Sequence, residues 1–236
     1  MSITAVAIAG VTGKLGRLVA AALLAIPNVT VHGICRNPSK LPAELSSNPR
    51  FHSFQAECHE ANKLRLAIRG TSVCVCCYLG DLAAVFLEGQ KTLIDACVEE
   101  KVARYVPSNF NFDFRGLKVG DIPLKDHQVK IKMYLEEREE KGLIKAVHVL
   151  CGVFLESLFA PYFPVYDGKT GTMRVWGTGK EVLEMTTYSD AARFVAAIAV
   201  DHEAFGFLGC ESNPHAHCCH RTLADILHSH RRSQDS

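Results

Sequence analysis

An uncharged apolar run followed by three evenly spaced glycines constrains the fold of this chain more than any other feature. Residues 5–9 lead directly into Gly10, Gly13 and Gly16, and small and aliphatic side chains then recur at helical spacing to about residue 26. This order predicts a buried parallel strand, a tight turn and a helix whose N-terminus points back over the strand end. At Gly16, one turn into the helix, the missing side chain would let helix and strand pack closely.

The glycine turn predicts a binding site for a diphosphate. Backbone N–H groups and the positive end of the helix dipole converge where glycines let an anion approach the main chain. The spacing GxxGxxG differs from the commoner GxGxxG, and a glycine-rich surface turn is the alternative, but the flanking strand and helix favour the anion site. The cofactor contacts that we expect here are Gly10, Thr12, Gly13, Lys14, Leu15 and Gly16.

Composition limits the class of protein. With 236 residues, 48% hydrophobic and 22% charged, the chain suits one large domain or one domain with a small appendage. A net charge of +1 argues against nucleic-acid binding. The sequence contains neither a signal-peptide pattern nor a membrane-spanning run. Its ten cysteines lie largely in apolar settings, so we expect free thiols and a cytoplasmic location.

The end of the second predicted strand indicates which nucleotide binds. Residues 29–35 read as that strand, and Arg36 and Lys40 follow it. In dinucleotide folds an acid near this place binds the ribose 2′-hydroxyl, whereas an arginine accommodates a 2′-phosphate. A guanidinium fork and a mobile ammonium suit a phosphate, although both side chains could equally be solvated cations. We therefore expect NADP(H) rather than NAD(H).

Strands and helices alternate along the rest of the first 152 residues. The predicted strands are 51–56, 71–80, 104–109 and 144–150, and the predicted helices are 60–68, 82–101 and 124–141. This rhythm predicts an α/β fold, a Rossmann-type doubly wound parallel sheet with helices on both faces. Because such sheets bind ligands at the carboxyl ends of their strands, we expect further cofactor contacts from Tyr78, Leu79, Gly80, Ser108, Asn109 and Phe110.

The pattern changes after residue 152. Prolines and glycines separate short segments, with brief strands predicted at 173–176 and 182–187 and a helix at 191–200 that Ser189 would cap. We assign 1–152 to a nucleotide-binding domain, 153–208 to a small substrate lobe and 209–236 to a divergent tail.

The tail contains a dense run of histidine and cysteine at 215–220. Imidazole and thiolate are good zinc ligands, but adjacent residues rarely point at one ion, so we expect no metal site. The interpretation that we favour is a shortened or divergent ending, such as an altered reading frame or splice would give, with at most a surface helix at 222–230.

Several motifs together resemble the NmrA-like and isoflavone-reductase-like proteins, which are atypical short-chain dehydrogenases. They are GVTGKLG at 10–16, the Arg36–Lys40 pair, VPSNF at 106–110, WGTG at 176–179 and TTYSDAARF at 186–194. The resemblance covers roughly residues 3–208 and implies an NADP(H)-binding Rossmann domain with a smaller substrate lobe. The family includes NADPH-dependent reductases of aromatic natural products and non-catalytic redox-sensing regulators.

The resemblance also implies a catalytic lysine early in the helix after strand five, one turn before an aliphatic residue. Ile131 and Leu135 suit the two aliphatic places, which puts Gln128 where the lysine would be. Lys125 and Lys132 lie one turn to either side and are the other candidates, although the register argues against Lys125 and both could be solvated. A neutral amide can orient a carbonyl but cannot exchange a proton.

Two functions follow from these expectations. The first is an NADPH-dependent oxidoreductase that reduces a small aromatic or unsaturated carbonyl-type substrate. The alternative is a non-catalytic, NADP(H)-binding redox-sensing regulator with a protein partner, which the glutamine and the short lobe favour. A truncated product that binds neither ligand well is a third possibility. The sequence contains no G-x-S-x-G elbow of a hydrolase.

Overall fold

The computed structural model describes residues 4–160, 165–175, 177–181 and 183–209. In chain order, its strands and α-helices are β1 (Thr4–Ala9), α1 (Lys14–Leu24), β2 (Val29–Cys35), α2 (Ala43–Ser46), β3 (Phe51–Gln55), α3 (Ala61–Ile68), β4 (Val73–Cys76), α4 (Gln90–Glu99), β5 (Arg104–Val106), α5 (Asp126–Glu140), β6 (Lys145–Leu150), β7 (Val153–Phe154), β8 (Tyr166–Asp167), β9 (Thr172–Met173), β10 (Met185–Thr186), α6 (Tyr188–Val200) and β11 (Gly206–Gly209).

Seven of these strands form one parallel sheet in the order β11–β6–β5–β4–β1–β2–β3. The central strands are buried on both faces, and all of β4 is inaccessible to solvent. Because neither face meets water, such strands are near-continuous apolar runs without polar alternation. The predicted Rossmann-type sheet is confirmed.

Helices cover both faces of the sheet. α1 and α6 pack on one face, where Val6, Ile8 and Val149 point, and α3, α4 and α5 pack on the other, where Ala7, Cys74 and Ala146 point. The buried side of α6 consists largely of alanines. Small side chains let this helix approach α1 closely, so the two lie side by side over the centre of the sheet.

The stretch 153–208, which we assigned to the substrate lobe, contributes two elements to the main fold. β11 pairs in parallel with β6 at the edge of the large sheet and was not predicted. α6 belongs to the helical layer and begins at Tyr188, three residues earlier than predicted. Its N-cap is Thr187, whose hydroxyl accepts the N–H of Asp190 at 3.0 Å, and not the expected Ser189.

Outside the main sheet, the described part of this stretch forms two short pairs, parallel β7–β10 and antiparallel β8–β9. These strands are shorter than the predicted ones. Residues 176 and 182, which belong to those predictions, and the tail from residue 210 lie outside the described residues.

The predicted helix over 82–101 has two parts. Its first eight residues, Leu82–Gly89, form a π-helix, and α4 follows directly. The carboxylate of Asp81 caps the π-helix by accepting the N–H groups of Ala83 and Ala84 at 2.9 and 2.7 Å. Apolar spacing cannot distinguish the two helix types over so short a run, and π-turns occur frequently at functional sites. Of the described helices, none is long and apolar enough to cross a membrane.

Arg104 ties β5 to the C-terminal end of α6. Its side chain is buried, with 4% of the residue exposed. The guanidinium donates to the main-chain oxygens of Ile198 and Ala199, each at 2.9 Å, and to that of Asp201. The last carbonyls of a helix have no partner within the helix, so this one side chain satisfies groups that burial would otherwise leave unpaired.

We expect Arg104→Met to lower the free energy of unfolding by about 3 kcal/mol, because buried helix-end carbonyls lose their charged donors. The matched control is Arg193→Met on the same helix, whose side chain is 67% exposed and should change stability by about 0.5 kcal/mol or less. Urea unfolding followed by circular dichroism measures both. Equal losses in the two variants would contradict this role of Arg104.

Candidate functional site

The turn after β1 allows backbone contacts that only glycine permits. Gly10 has φ +82°, and a Cβ atom there would lie 2.6 Å from the main-chain oxygen of Cys77. A Cβ atom on Gly16 would lie 2.5 Å from the main-chain oxygen of Gly10. The N–H of Gly13 donates to that same oxygen at 3.0 Å. The end of β1 therefore packs directly against both the first turn of α1 and the segment that leaves β4.

No side chain of its first turn neutralises the positive end of the α1 dipole. Its N-cap is Gly13, which supplies no side-chain acceptor, and no acidic residue occupies the first turn. The leading N–H groups of a helix have no partner within the helix and are commonly satisfied by side chains, water or a bound anion. This end of α1 is thus suited to an anionic ligand.

A cavity of about 510 Å³ opens beside the glycine turn, at the carboxyl ends of β1, β2, β3 and β4. It brings together many of the predicted cofactor residues, namely Gly10, Thr12, Gly13, Arg36, Lys40, Tyr78, Leu79 and Gly80. Both cations that follow β2 thus line the same space as the glycine turn.

Three other predicted cofactor residues belong to α1. Leu15 and Gly16 are buried where the helix packs on the sheet. Lys14 is exposed, and its ammonium lies 4.3 Å from the centre of the Tyr188 ring. None of the three lines the cavity.

The predicted cofactor residues after β5 do not line the cavity. The Ser108 hydroxyl donates to the main-chain oxygen of Tyr78 at 2.9 Å and so holds the wall segment after β4. Asn109 is fully buried, and Phe110 packs against the core between the sheet and α1. Of the three, Ser108 therefore supports the cavity wall without lining it.

Sequence reasoning missed half of the cavity lining. The missed residues are Ile34, Cys35, Ala56, Glu57, Cys58, Cys77, Asp81 and Val85. Four of them, Ile34, Cys35, Cys77 and Asp81, lie within two positions of a residue that we had predicted at a strand end. Ala56, Glu57 and Cys58 follow β3, which neighbours β2 at the carboxyl edge, so the strand-end rule applied to β3 would have found them.

Burial shifts several ionisable groups at the cavity. It raises the pKa of the Cys35 and Cys58 thiols and raises the pKa of the Tyr78 phenol well above its ordinary value. These groups therefore remain protonated and neutral near pH 7. The charges that line the cavity belong to Arg36, Lys40 and the carboxylates of Glu57 and Asp81.

The three candidate catalytic residues lie on or just before α5 and do not line this cavity. Gln128 is only 4% exposed, and its Oε1 atom has no hydrogen-bond partner in the described part of the chain. The Lys132 ammonium pairs with Glu136 at 2.7 Å. The Lys125 ammonium lies 4.8 Å from the centre of the Phe112 ring, and burial lowers the pKa of this lysine.

Several buried side-chain nitrogen and oxygen atoms have no hydrogen-bond partner in the described part of the chain. Across the described ranges they belong to Asn109, His127, Gln128 and His148. Burial lowers the pKa of His148 to about 3, so its ring is neutral and stacks on Phe207 at 4.3 Å. Asn109 after β5, and His127 and Gln128 at the start of α5, thus have hydrogen-bonding capacity that the described residues leave unused.

Within the described ranges, no group of three or more His, Cys, Asp or Glu side chains could hold a metal ion. The histidine- and cysteine-rich run at 215–220 lies outside those ranges.

Comparison with known proteins identifies both a family and a fold. The model of the NmrA-like family matches residues 3–230, whereas no curated protein sequence matches the chain. A crystal structure of isoflavone reductase is 18% identical with a TM-score of 0.68, and the match covers 89% of this chain and 69% of that one. AtPrR2 with NADP⁺ and (+)-pinoresinol is 19% identical with a TM-score of 0.70, over 89% and 70%.

A third similar structure is the NADPH-dependent quinone oxidoreductase QOR2 of Escherichia coli, complexed with NADPH. It is 20% identical with a TM-score of 0.67, and the match covers 86% of this chain and 67% of that one. At identities of 18–20%, the similarity shows a shared fold and nothing more.

We expect Gly16→Ala to destabilise the protein by about 2 kcal/mol, because the added methyl group would overlap the Gly10 carbonyl and push α1 away from β1. Gly116→Ala is the control, since a Cβ atom there meets no atom within 4 Å. It should change the free energy of unfolding by less than about 0.5 kcal/mol. Urea unfolding of both variants is the measurement, and a Gly16→Ala protein as stable as wild type would refute the close approach.

Proposed function

The chain belongs to the NmrA-like family, and on that premise we propose that it is an NADPH-dependent oxidoreductase that reduces a small aromatic or unsaturated carbonyl-type substrate. The observation that carries the proposal is that one cavity is lined both by the glycine turn and by the Arg36–Lys40 pair. Two of the similar structures contain NADP⁺ or NADPH.

The glycine turn fits a diphosphate. Close main-chain contacts at Gly10 and Gly16 fix the path of the turn. No side chain caps the first N–H groups of α1. A diphosphate placed there would accept hydrogen bonds from these groups and meet the positive end of the helix dipole.

The cations after β2 fit a 2′-phosphate. The end of β2 carries no acidic residue to bind a free 2′-hydroxyl, and Arg36 begins the segment that lines the cavity. Among the cavity acids, Asp81 already accepts two main-chain N–H groups in capping the π-helix. A guanidinium and an ammonium in the same cavity favour the phosphorylated nucleotide.

The protein's own part in the reaction is binding and orientation. The bound nucleotide would supply the hydride. Ser108 holds the segment at Tyr78 through its hydrogen bond, and the neutral Tyr78 phenol adds no charge to the cavity wall. Gln128 can orient a carbonyl through its amide but cannot exchange a proton with it, so any proton that the product needs would come from water or from a neighbouring lysine such as Lys125 or Lys132.

Gln128 also favours a second function, a non-catalytic NADP(H)-binding regulator that engages a protein partner according to the redox form of the nucleotide. An amide in the place of the family's lysine preserves a binding site while removing its proton-transfer group. In either function we place the protein in the cytoplasm, because the cysteines of the described ranges are free thiols.

We expect NADP⁺ to bind more tightly than NAD⁺, and Arg36→Ala to weaken NADP⁺ binding about tenfold while leaving NAD⁺ binding nearly unchanged. Lys40→Ala should act in the same direction with a smaller effect. Arg69→Ala, which removes an exposed arginine paired with Glu100, is the control. Isothermal titration calorimetry gives all the affinities, and equal affinities of the unmutated protein for both nucleotides would remove the NADP(H) assignment.

We expect the protein to oxidise NADPH, followed at 340 nm, when it is offered a panel comprising an isoflavone, a lignan and a fully methylated benzoquinone. Arg36→Ala should raise the KM for NADPH about tenfold with little change in kcat, because the arginine would bind ground state and transition state equally. Tight NADPH binding without oxidation by any member of the panel would instead support the regulator.

A further inference from the structure

One buried side chain is linked to both ends of segment 78–86, which supplies part of the cavity lining after β4. Gln90 is the first residue of α4 and is fully buried. Its Nε2 atom donates to the main-chain oxygen of Phe86 at 2.8 Å. Its Oε1 atom accepts the main-chain N–H of Ser108 at 2.9 Å.

Through Ser108, Gln90 also reaches the beginning of the segment. The Ser108 hydroxyl donates to the main-chain oxygen of Tyr78 at 2.9 Å. The Tyr105 hydroxyl, which is buried on β5, donates to Oε1 of Gln90 at 3.4 Å and adds a second link to that strand. Gln90 therefore holds Phe86 directly and Tyr78 through one intervening residue.

Between these two contacts, segment 78–86 projects into solvent. Residues 79–84 are all exposed, and Leu79 is 85% exposed. Hydrogen bonds within the segment converge on Asp81, whose carboxylate caps the π-helix and whose main-chain oxygen accepts the N–H groups of Val85 and Phe86, each at 3.0 Å. Because these bonds stay within the segment, they do not fix its position relative to the sheet. That position is set where the segment joins the core, at its two ends.

The rings at the two ends also contact the rest of the protein. Tyr78 packs against the core on one face of the sheet, and the Phe86 ring lies 4.9 Å from the His127 ring, between ring centres. A ring can turn about its side-chain bonds, whereas a hydrogen bond to a main-chain oxygen fixes the backbone itself. Gln90 is thus placed to fix the backbone course of the cavity wall.

We propose that Gln90 is a positioning residue for the nucleotide site, which holds segment 78–86 in the conformation that binds the nucleotide. The inference rests on the proposed function in so far as the ligand of the cavity is NADP(H). A segment that is already ordered loses less conformational entropy on binding. Gln90 acts on the side of the cavity that follows β4, whereas Arg36 and Lys40 follow β2. Its effect should therefore be equal for NADP⁺ and NAD⁺.

Gln90→Met removes both hydrogen-bonding groups and keeps the length of the side chain. In calorimetric titrations of the full chain, we expect it to weaken NADP⁺ and NAD⁺ binding by the same factor, about five- to tenfold. Hydrogen exchange followed by mass spectrometry, without nucleotide, should be about fivefold faster or more over segment 78–86, because the segment opens more readily without its contacts to Gln90.

Thr71→Val is the matched control for a general loss of stability. Thr71 is also buried, and its hydroxyl donates to the main-chain oxygen of Ile68, the last residue of α3, at 2.7 Å. It precedes β4 and so lies at the opposite edge of the sheet from the cavity. We expect this variant to be less stable than wild type, with unchanged nucleotide affinities and unchanged exchange over segment 78–86.

Ser108→Ala separates the two ends of the segment. It removes the hydroxyl that holds Tyr78 and leaves the contact between Gln90 and Phe86, so both nucleotides should bind about two- to threefold more weakly. In the double variant, Ser108→Ala should add little to the effect of Gln90→Met, because Gln90 acts on Tyr78 through Ser108. Fully additive losses would contradict that link.

Affinities of Gln90→Met that equal those of Thr71→Val would overturn the proposal. A loss confined to NADP⁺ would do so too, because the effect would then act on the 2′-phosphate contacts, and so would unchanged exchange over segment 78–86. If Gln90→Met does not fold, unchanged affinities in Ser108→Ala refute the positioning role and a matched loss for both nucleotides supports it. If the unmutated protein binds neither nucleotide, the proposed function fails, whereas faster exchange in Gln90→Met still shows that Gln90 holds the segment.

Discussion

The structure depends on the close approach of three backbone segments at Gly10. That residue touches the first turn of α1 through Gly16 and the segment after β4 through Cys77, both at distances that leave no room for a side chain. The contact to α1 sets the direction of the helix N-terminus. The contact to Cys77 sets where the chain continues to Tyr78 and Gly80, which form the opposite wall of the cavity. One position without a side chain therefore determines two walls of the site.

The layer formed by α1 and α6 connects the glycine turn to the C-terminal part of the described chain. Alanines on α6 let it lie close to α1, and Arg104 satisfies its last carbonyls at the far end. The first residues of the two helices meet where the Lys14 ammonium lies 4.3 Å from the centre of the Tyr188 ring. A helix of the stretch that we assigned to the substrate lobe thus belongs to the same helical layer as α1.

Elements whose burial produces a clear sequence pattern could be predicted from the sequence. Elements whose conformation is decided by contacts with residues distant in the chain could not. The central strands were predictable because double-sided burial produces unbroken apolar runs. β11 was not, since GFLG is short and bounded by glycines, and only its position beside β6 makes it a strand. The π-helix at Leu82–Gly89 shares its apolar composition with an α-helix, and the cap at Thr187 competes with a hydroxyl two positions later.

The same distinction holds at the site. The rule that ligands bind at the carboxyl ends of parallel strands located the cavity, whereas the contacts around it could be identified only from the tertiary structure. Arg36 and Lys40 could be predicted because they follow a strand directly, but the contact of Lys14 with Tyr188 joins residues far apart in the chain. The resulting charge distribution is uneven along the carboxyl edge of the sheet. Cations lie near the ends of β1 and β2, and the carboxylates of Glu57 and Asp81 lie near the ends of β3 and β4. The neutral, buried Gln128 lies beyond β5. An anionic group on a ligand would therefore lie most favourably at the ends of β1 and β2, near the cations and away from these carboxylates.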